Sequence, residues 1–219
     1  MLRTLGEQSR FMLATTTRHR YYVVLMATKY SSSSIGYKQS VGTMHAGRFS
    51  NDNGRPLNLM VTIDLTSLGY TDDMAGDAFR GIWKSFSRWW SYERSQGRLA
   101  GAFASYVVHE HPPGGPRHVH WAMHAPAEAR AKIEAAIRKR VEKASGYACL
   151  GRAIHFQDRR KPRSAALYDL KGTHPAVARR FLHIRPSDQG PIIGRRLAVS
   201  RAIGKAARER AGWSNKTSL

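Results

Sequence analysis

The sharpest chemical signal in the chain is a pair of histidines one residue apart, His118-Val119-His120. In a strand, residues two apart point to the same side, so both imidazoles leave the sheet together and can grip one metal ion from a rigid support. Two ligands are too few. On the preceding strand candidate Glu110 shares a face with Val108 and Tyr106, and the turn through Pro112-Pro113-Gly114-Gly115-Pro116 returns it toward the histidines as a third ligand. Two imidazoles and one carboxylate with open positions suit Mg²⁺ or Mn²⁺ when a phosphate supplies the remaining oxygens, although isolated imidazoles favour later transition metals. The competing reading makes His118 and His120 semi-buried strand residues bonded to backbone groups.

A second signal is Tyr168 in Ala165-Ala166-Leu167-Tyr168-Asp169-Leu170-Lys171-Gly172. On a helix Tyr168 and Lys171 share a face, which sets a phenol beside an ammonium. A phenol, with a pKa of about 10, is a poor nucleophile at neutral pH; a nearby cation favours phenolate and offsets the charge of a phosphate under attack. Taken alone, such a pair more often reflects packing. Thr62 and Asp64 could approach the metal from the neighbouring strand, although a solvated or hydrogen-bonded Asp is the simpler account. Strand alternation turns His109 away from Glu110, whereas His124 shares the parity of His118 and His120.

These groups need a scaffold. Leu57 to Leu65 alternates like a strand, and Asp77 to Arg94 places Phe79, Trp83, Phe86 and Trp90 at helical spacing, which assigns Trp83 and Trp90 to a core rather than to base stacking. Ala102 to Glu110 and Arg117 to His124 form a hairpin closed by the Pro/Gly loop. Pro126 opens a helix running to about Ser145, where Gly146 stops it. Arg152 to Gln157 is a short strand, Ser164 to Lys171 a helix, and Gly194 to Ala211 the last strong helix. The sum is an α+β fold: a mainly antiparallel sheet with helices packed on one face, plus a basic C-terminal helix. Ser31 to Pro56 is Gly/Ser-rich and polar, which predicts a long loop. Arg20 to Leu25 reads as a strand or as part of an arm. The expected division is an arm and polar loop over 1–56, a catalytic domain over 57–172 and a basic helical extension over 173–219.

Charge names the partner class. The chain has 219 residues with 36 Lys or Arg and 15 Asp or Glu, a net charge of +21. Such an excess repels itself unless a polyanion, an acidic partner or a membrane surface offsets it, and nucleic acid is the commonest such partner. Residues 1–125 carry 14 basic and 8 acidic side chains, and residues 126–219 carry 22 and 7, so the polyanion-facing surface is expected to be C-terminal. Arg195, Arg196, Arg201 and Lys205, interleaved with Leu197, Val199 and Ile203, are the candidate nucleic-acid contacts. No apolar run approaches the roughly 20 residues of a membrane span. The single cysteine, Cys149, excludes an intramolecular disulfide and fits a reducing, cytoplasmic setting, and Phe11 to Ala14 is too short for a secretory leader.

In combination, the strand Leu57 to Leu65, the segment Glu110 to Trp121 with its His-Val-His, and Leu167-Tyr168-Asp169-Leu170-Lys171-Gly172 resemble, in content and order, the His-hydrophobe-His single-strand endonucleases of the rolling-circle replication-initiator type. The resemblance spans somewhat over half the chain. It implies a DNA nicking and joining enzyme in which Glu110, His118 and His120 hold a divalent ion, Tyr168 attacks the scissile phosphate to give a 5′-phosphotyrosine, and Lys171 positions that phosphate. Single-stranded DNA or an origin hairpin would be the substrate. No phosphate-binding Gly-x-x-x-x-Gly-Lys-Ser/Thr loop occurs, so any helicase would be a separate host partner. A small transposase or conjugative relaxase would share this chemistry. The competing classes are a non-catalytic nucleic-acid-binding module and a hydrolase using water as nucleophile.

Overall fold

A computed structural model describes residues 31–148 and 151–214. Arg20 to Leu25, Phe11 to Ala14 and Cys149 lie outside the described residues.

The elements run β1 (Ser31–Ser32), α1 (Tyr37–Asp52), β2 (Leu59–Asp64), α2 (Asp72–Ser95), β3 (Ser105–Glu110), β4 (His118–Met123), a 3₁₀ turn (Ala127–Ala129), α3 (Arg130–Ser145), β5 (Ile154–Asp158), α4 (Pro162–Asp169), α5 (Pro175–Val177), a π-helical turn (Ala178–Leu182), β6 (Ile192–Ile193), β7 (Leu197–Val199) and α6 (Lys205–Arg210). The main sheet is antiparallel in the order β5-β2-β4-β3-β7, and β1 pairs with β6 in a separate ribbon. Elements β2 to β5 with α2 and α3 make a split β-α-β-β-α-β unit, in which β4 inserts between the two strands that α2 connects. The α+β class and the antiparallel sheet read from the sequence are the observed ones.

Strand alternation divides the sheet into two faces. Leu59, Val61, Ile63, Val107, Val119, Trp121 and Ile154 point to one side and meet Phe79, Ile82, Phe86 and Trp90 of α2 and Ile133, Ile137 and Val141 of α3. Trp121 sits edge-on to Phe79, Phe86 and Phe103 at centroid distances of 5.5, 5.1 and 6.0 Å. Each large apolar side chain buried here contributes about 1.5–3 kcal/mol, which makes this face the main source of stability. Trp83 and Trp89 pack against the same cluster. Gly146, at φ 75°, ends α3 in the left-handed conformation that glycine adopts without strain.

Glu93 links the two helices on this face. Its carboxylate accepts from Arg98 Nε at 2.6 Å and from Lys132 Nζ of α3. Those two hydrogen bonds hold its pKa down to about 2, against a desolvation effect that would raise it. A depressed carboxylate stabilises the fold above its unfolded pKa of 4.5 and loses that contribution as pH falls toward 2. Glu93→Gln should therefore lower the urea midpoint at pH 7, with the deficit shrinking below pH 4.5 and vanishing near pH 2. A deficit that persists unchanged at pH 2 would assign the loss to packing instead.

The second face carries Met60, Tyr106, Val108 and Ala122, covered by Ala46 and Phe49 of α1, Ala166 and Leu170 of α4, and Ile203. Two expectations are corrected here. Ser31 to Pro56, read as a loop, contains α1. Its buried side is largely polar: Thr43 Oγ1 donates to Gln39 O at 2.9 Å, and Ser40 Oγ bonds Thr173 Oγ1 at 2.9 Å. Tertiary packing rather than apolar periodicity holds this helix, so the pattern signal is weak.

The helix expected from Gly194 to Ala211 is broken. Gly194 has φ 92°, Leu197–Val199 is β7 paired with β3, and only Lys205–Arg210 is helical. A guanidinium needing buried acceptors explains the change. Arg196, 1% exposed, donates through Nη1 and Nη2 to the carbonyls of His109, Gln189, Ser32, Ser33 and Gly190, which pins the chain beside β3. Residues assigned to the C-terminal extension thus complete the sheet.

Candidate active site

Glu110 is the last residue of β3 and His118 the first of β4, and the antiparallel register sets them directly opposite each other. His120, two residues on, leaves the same face as Val108 and the buried second core. The hairpin alone therefore brings the three side chains together. Their ligand atoms lie within 4.8 Å of one another, a group able to hold a metal ion.

Glu110 is fully buried, and its Oε2 is crowded by His118 Nε2 at 3.1 Å, His120 Nε2 at 3.3 Å and Lys171 Nζ at 3.0 Å. Burial pushes its pKa up, but the hydrogen bonds from both histidines and the charges of His120 and Lys171 outweigh burial and hold the carboxyl well below the usual range. Burial lowers the His118 pKa, yet bonding to Glu110 and to the Pro116 carbonyl reverses the sign. Lys171 follows the same logic: desolvation lowers its pKa, and Glu110, followed by Tyr168, raises it further.

The outer nitrogens of both rings are occupied. His118 Nδ1 lies 3.0 Å from Pro116 O, and His120 Nδ1 lies 3.1 Å from Thr62 Oγ1. A carbonyl only accepts, so His118 Nδ1 carries a proton, and Nε2, which here donates to Glu110 Oε2, is the nitrogen that would give up its proton to hold a cation. Glu110 Oε1 is buried with no hydrogen-bond partner among the described residues. A carboxylate with Oε2 against both imidazoles and Oε1 buried without a hydrogen-bond partner fits a cation bound beside the histidines.

Tyr168 is on α4, 67% exposed, and the Lys171 ammonium lies 4.7 Å from the centre of its ring. Lys171 thus touches Glu110 with one side of its charge and the phenol ring with the other. The buried network Tyr106–Arg159–Asp169 fixes α4 in this position. Tyr106 Oη donates to Asp169 and accepts from Arg159 Nη1 at 2.9 Å, while Arg159 Nη2 donates to Asp169. Burial, then the Asp169 charge, raises the Tyr106 hydroxyl well above its ordinary pKa, so it remains protonated as a donor.

The other candidates separate clearly. Asp64 turns to Ser67, accepting from its amide at 3.0 Å. His109 is buried edge-on to Phe79 at 5.4 Å, with burial as the main cause of a pKa held down to about 3. His124 Nδ1 lies 3.0 Å from Pro56 O and is not in the ligand group. Arg195, Arg201 and Lys205 are exposed, but Arg196, expected as a nucleic-acid contact, is enclosed by carbonyls and is structural.

Thr62, which the sequence reading places near the metal ligands, is the hydrogen-bond partner of His120. The sequence reading missed two features: Arg159 is the clamp on α4, and His155, exposed on β5, sits across from Thr62 in the same sheet row as His120. Only the strand register could have revealed His155. Gly190 holds the neighbouring segment: at φ 58° a Cβ there would lie 2.0 Å from His111 O, so no other residue allows this approach beside Glu110.

No family model, curated protein or solved structure matches the chain. Among the described residues, no helix is long and apolar enough to cross a membrane.

Proposed function

We infer that this chain is a divalent-metal-dependent endonuclease that nicks and rejoins single-stranded DNA through Tyr168, in the manner of a rolling-circle replication initiator. One observation carries the reading: Lys171 joins the Glu110-His118-His120 group to the ring of Tyr168 within a single chain of contacts. The net charge of +21 supports a polyanionic substrate.

Glu110, His118 and His120 would hold the cation, with Mg²⁺ or Mn²⁺ the choice for a site whose remaining positions are filled by phosphate oxygens. Bound there, the ion would withdraw charge from the phosphodiester. Lys171 holds a positive charge beside both the phenol and the incoming phosphate. Tyr168 Oη attacks phosphorus, the bond from phosphorus to the 3′-oxygen breaks, and the phenol's proton is balanced by the proton gained on that departing 3′-oxygen. The products are a 5′-phosphotyrosine and a free 3′-hydroxyl. Because the phosphodiester is exchanged rather than hydrolysed, a 3′-hydroxyl can reverse the step without ATP. Plasmid or phage replication in the cytoplasm, with a host helicase opening the duplex, is the proposed setting; a transposase or relaxase would use the same site.

The test is a library of single-stranded oligonucleotides incubated with the protein and Mn²⁺ or Mg²⁺, followed by denaturing recovery of attached DNA. A covalent adduct that disappears on chelation is the expected result. His118→Ala/His120→Ala should lose both Mn²⁺ binding by calorimetry and the adduct. Cleavage without attachment would indicate a water nucleophile, and binding with no cleavage of any member would leave a non-catalytic module.

A further inference from the structure

The expected nucleic-acid surface toward the C-terminus loses Arg196 to the interior and keeps Arg195, Arg201 and Lys205, and the structure offers the single strand a second track. It starts from the segment that follows Tyr168 and Lys171. Ile35 N donates to Gly172 O at 2.9 Å, and His174 N donates to Ile35 O at 3.0 Å, which ties the start of α1 to the residues that follow Lys171. Tyr37, two residues beyond Ile35, packs against Phe181 of the π-helical turn with ring centroids 4.8 Å apart and the planes tilted by 55°. Both rings face solvent, Tyr37 at 46% and Phe181 at 50% exposure, and the Arg180 guanidinium lies 5.4 Å from the Phe181 ring centre.

Aromatic pairs are normally buried. Phe181 of this one lies in the π-helical turn, which ends at His183 in the left-handed conformation at φ 52°. The segments that carry the pair bring no carboxylate: residues 33–51 and 170–187 contain no Asp or Glu, while Lys38, Arg179, Arg180 and Arg185 are exposed. Among the described residues no acidic side chain forms an ion pair with any of these four.

We propose that Tyr37 and Phe181 form a stacking platform for unpaired bases of the DNA strand whose phosphate reaches Tyr168, with Lys38, Arg179, Arg180 and Arg185 following its backbone. The proposal deepens the endonuclease reading and rests on it for the direction of the strand. Exposed rings offer a π-face to any base, and guanidinium groups beside them add phosphate contact, a combination that selects unpaired over paired nucleic acid without reading sequence. A duplex hides its base faces and should ignore the rings.

The test uses the full chain, a chelator to prevent cutting, and a fluorescent mixed-sequence single strand of about 16 nucleotides beside its duplex. In anisotropy titrations Tyr37→Ala/Phe181→Ala should weaken single-strand binding by about 10- to 100-fold and duplex binding by less than about 2-fold. Phe181→Trp should retain affinity, and circular dichroism should match the parent. Unchanged single-strand affinity, or an equal loss for single strand and duplex, overturns the platform. So does a parent that sediments as a dimer while the variant is monomeric with unaltered DNA affinity, since a second copy would then be the occupant. The two readings fail separately: selective loss of single-strand binding in a protein that never forms an adduct leaves the platform standing without the endonuclease, and adduct formation with unaffected binding removes the platform alone.

Discussion

Tyr168→Phe should abolish the covalent adduct, by at least about 10³-fold, while leaving single-strand affinity nearly intact. The substitution removes one oxygen from a ring that is 67% exposed, so the fold does not depend on it. Lys171 would still face the ring at its present 4.7 Å and still pair with Glu110 at 3.0 Å. Binding and chemistry are thereby separated. Retained adduct formation in this variant would eliminate Tyr168 as the nucleophile and end the proposed mechanism, whatever else the site does.

Asp169→Ala should destabilise the protein by about 3–5 kcal/mol, as measured by urea denaturation, because it leaves the Arg159 guanidinium buried without its carboxylate. The side chains of Arg159 and Asp169 are only 7% and 2% exposed, and the Tyr106 hydroxyl loses its acceptor in the same step. Arg159→Met/Asp169→Leu removes both charges and should recover much of that loss, since well-packed apolar replacements often match a buried ion pair. A single variant as stable as the parent would show that water relaxes the network. Because Asp169 follows Tyr168 directly, adduct formation should fall with Asp169→Ala even where the protein remains folded.

Much of this architecture is legible in the sequence where burial is one-sided and apolar. The helix bearing Phe79, Phe86 and Trp90 and the hairpin around Pro112 to Pro116 are found within a few residues of their observed bounds because apolar periodicity and Pro/Gly punctuation state them directly. The Glu110, His118 and His120 grouping follows from strand parity plus one turn. What escapes is held by non-local polar contacts. α1 buries Ser40, Thr43 and Ser50, residues that signal loop when read alone. Arg196 and Arg159 look like surface cations until the carbonyls and carboxylate that enclose them come from distant segments. Leu197 and Val199, two apart, share a face of the strand they form, a signal too short to stand out among the basic residues around it.

The placement of β7 has a consequence for synthesis. On the ribosome the polypeptide emerges N-terminus first, and among the described residues the outer rim of β3, the strand ending in Glu110, meets its partners only when residues 196–200 are made. For that interval a nascent chain displays an open ribbon of backbone donors and acceptors, a template for adhesion between neighbouring nascent chains. Slower translation of the final fifth should therefore raise the yield of aggregates more than the same delay imposed after Arg196 and β7 have docked.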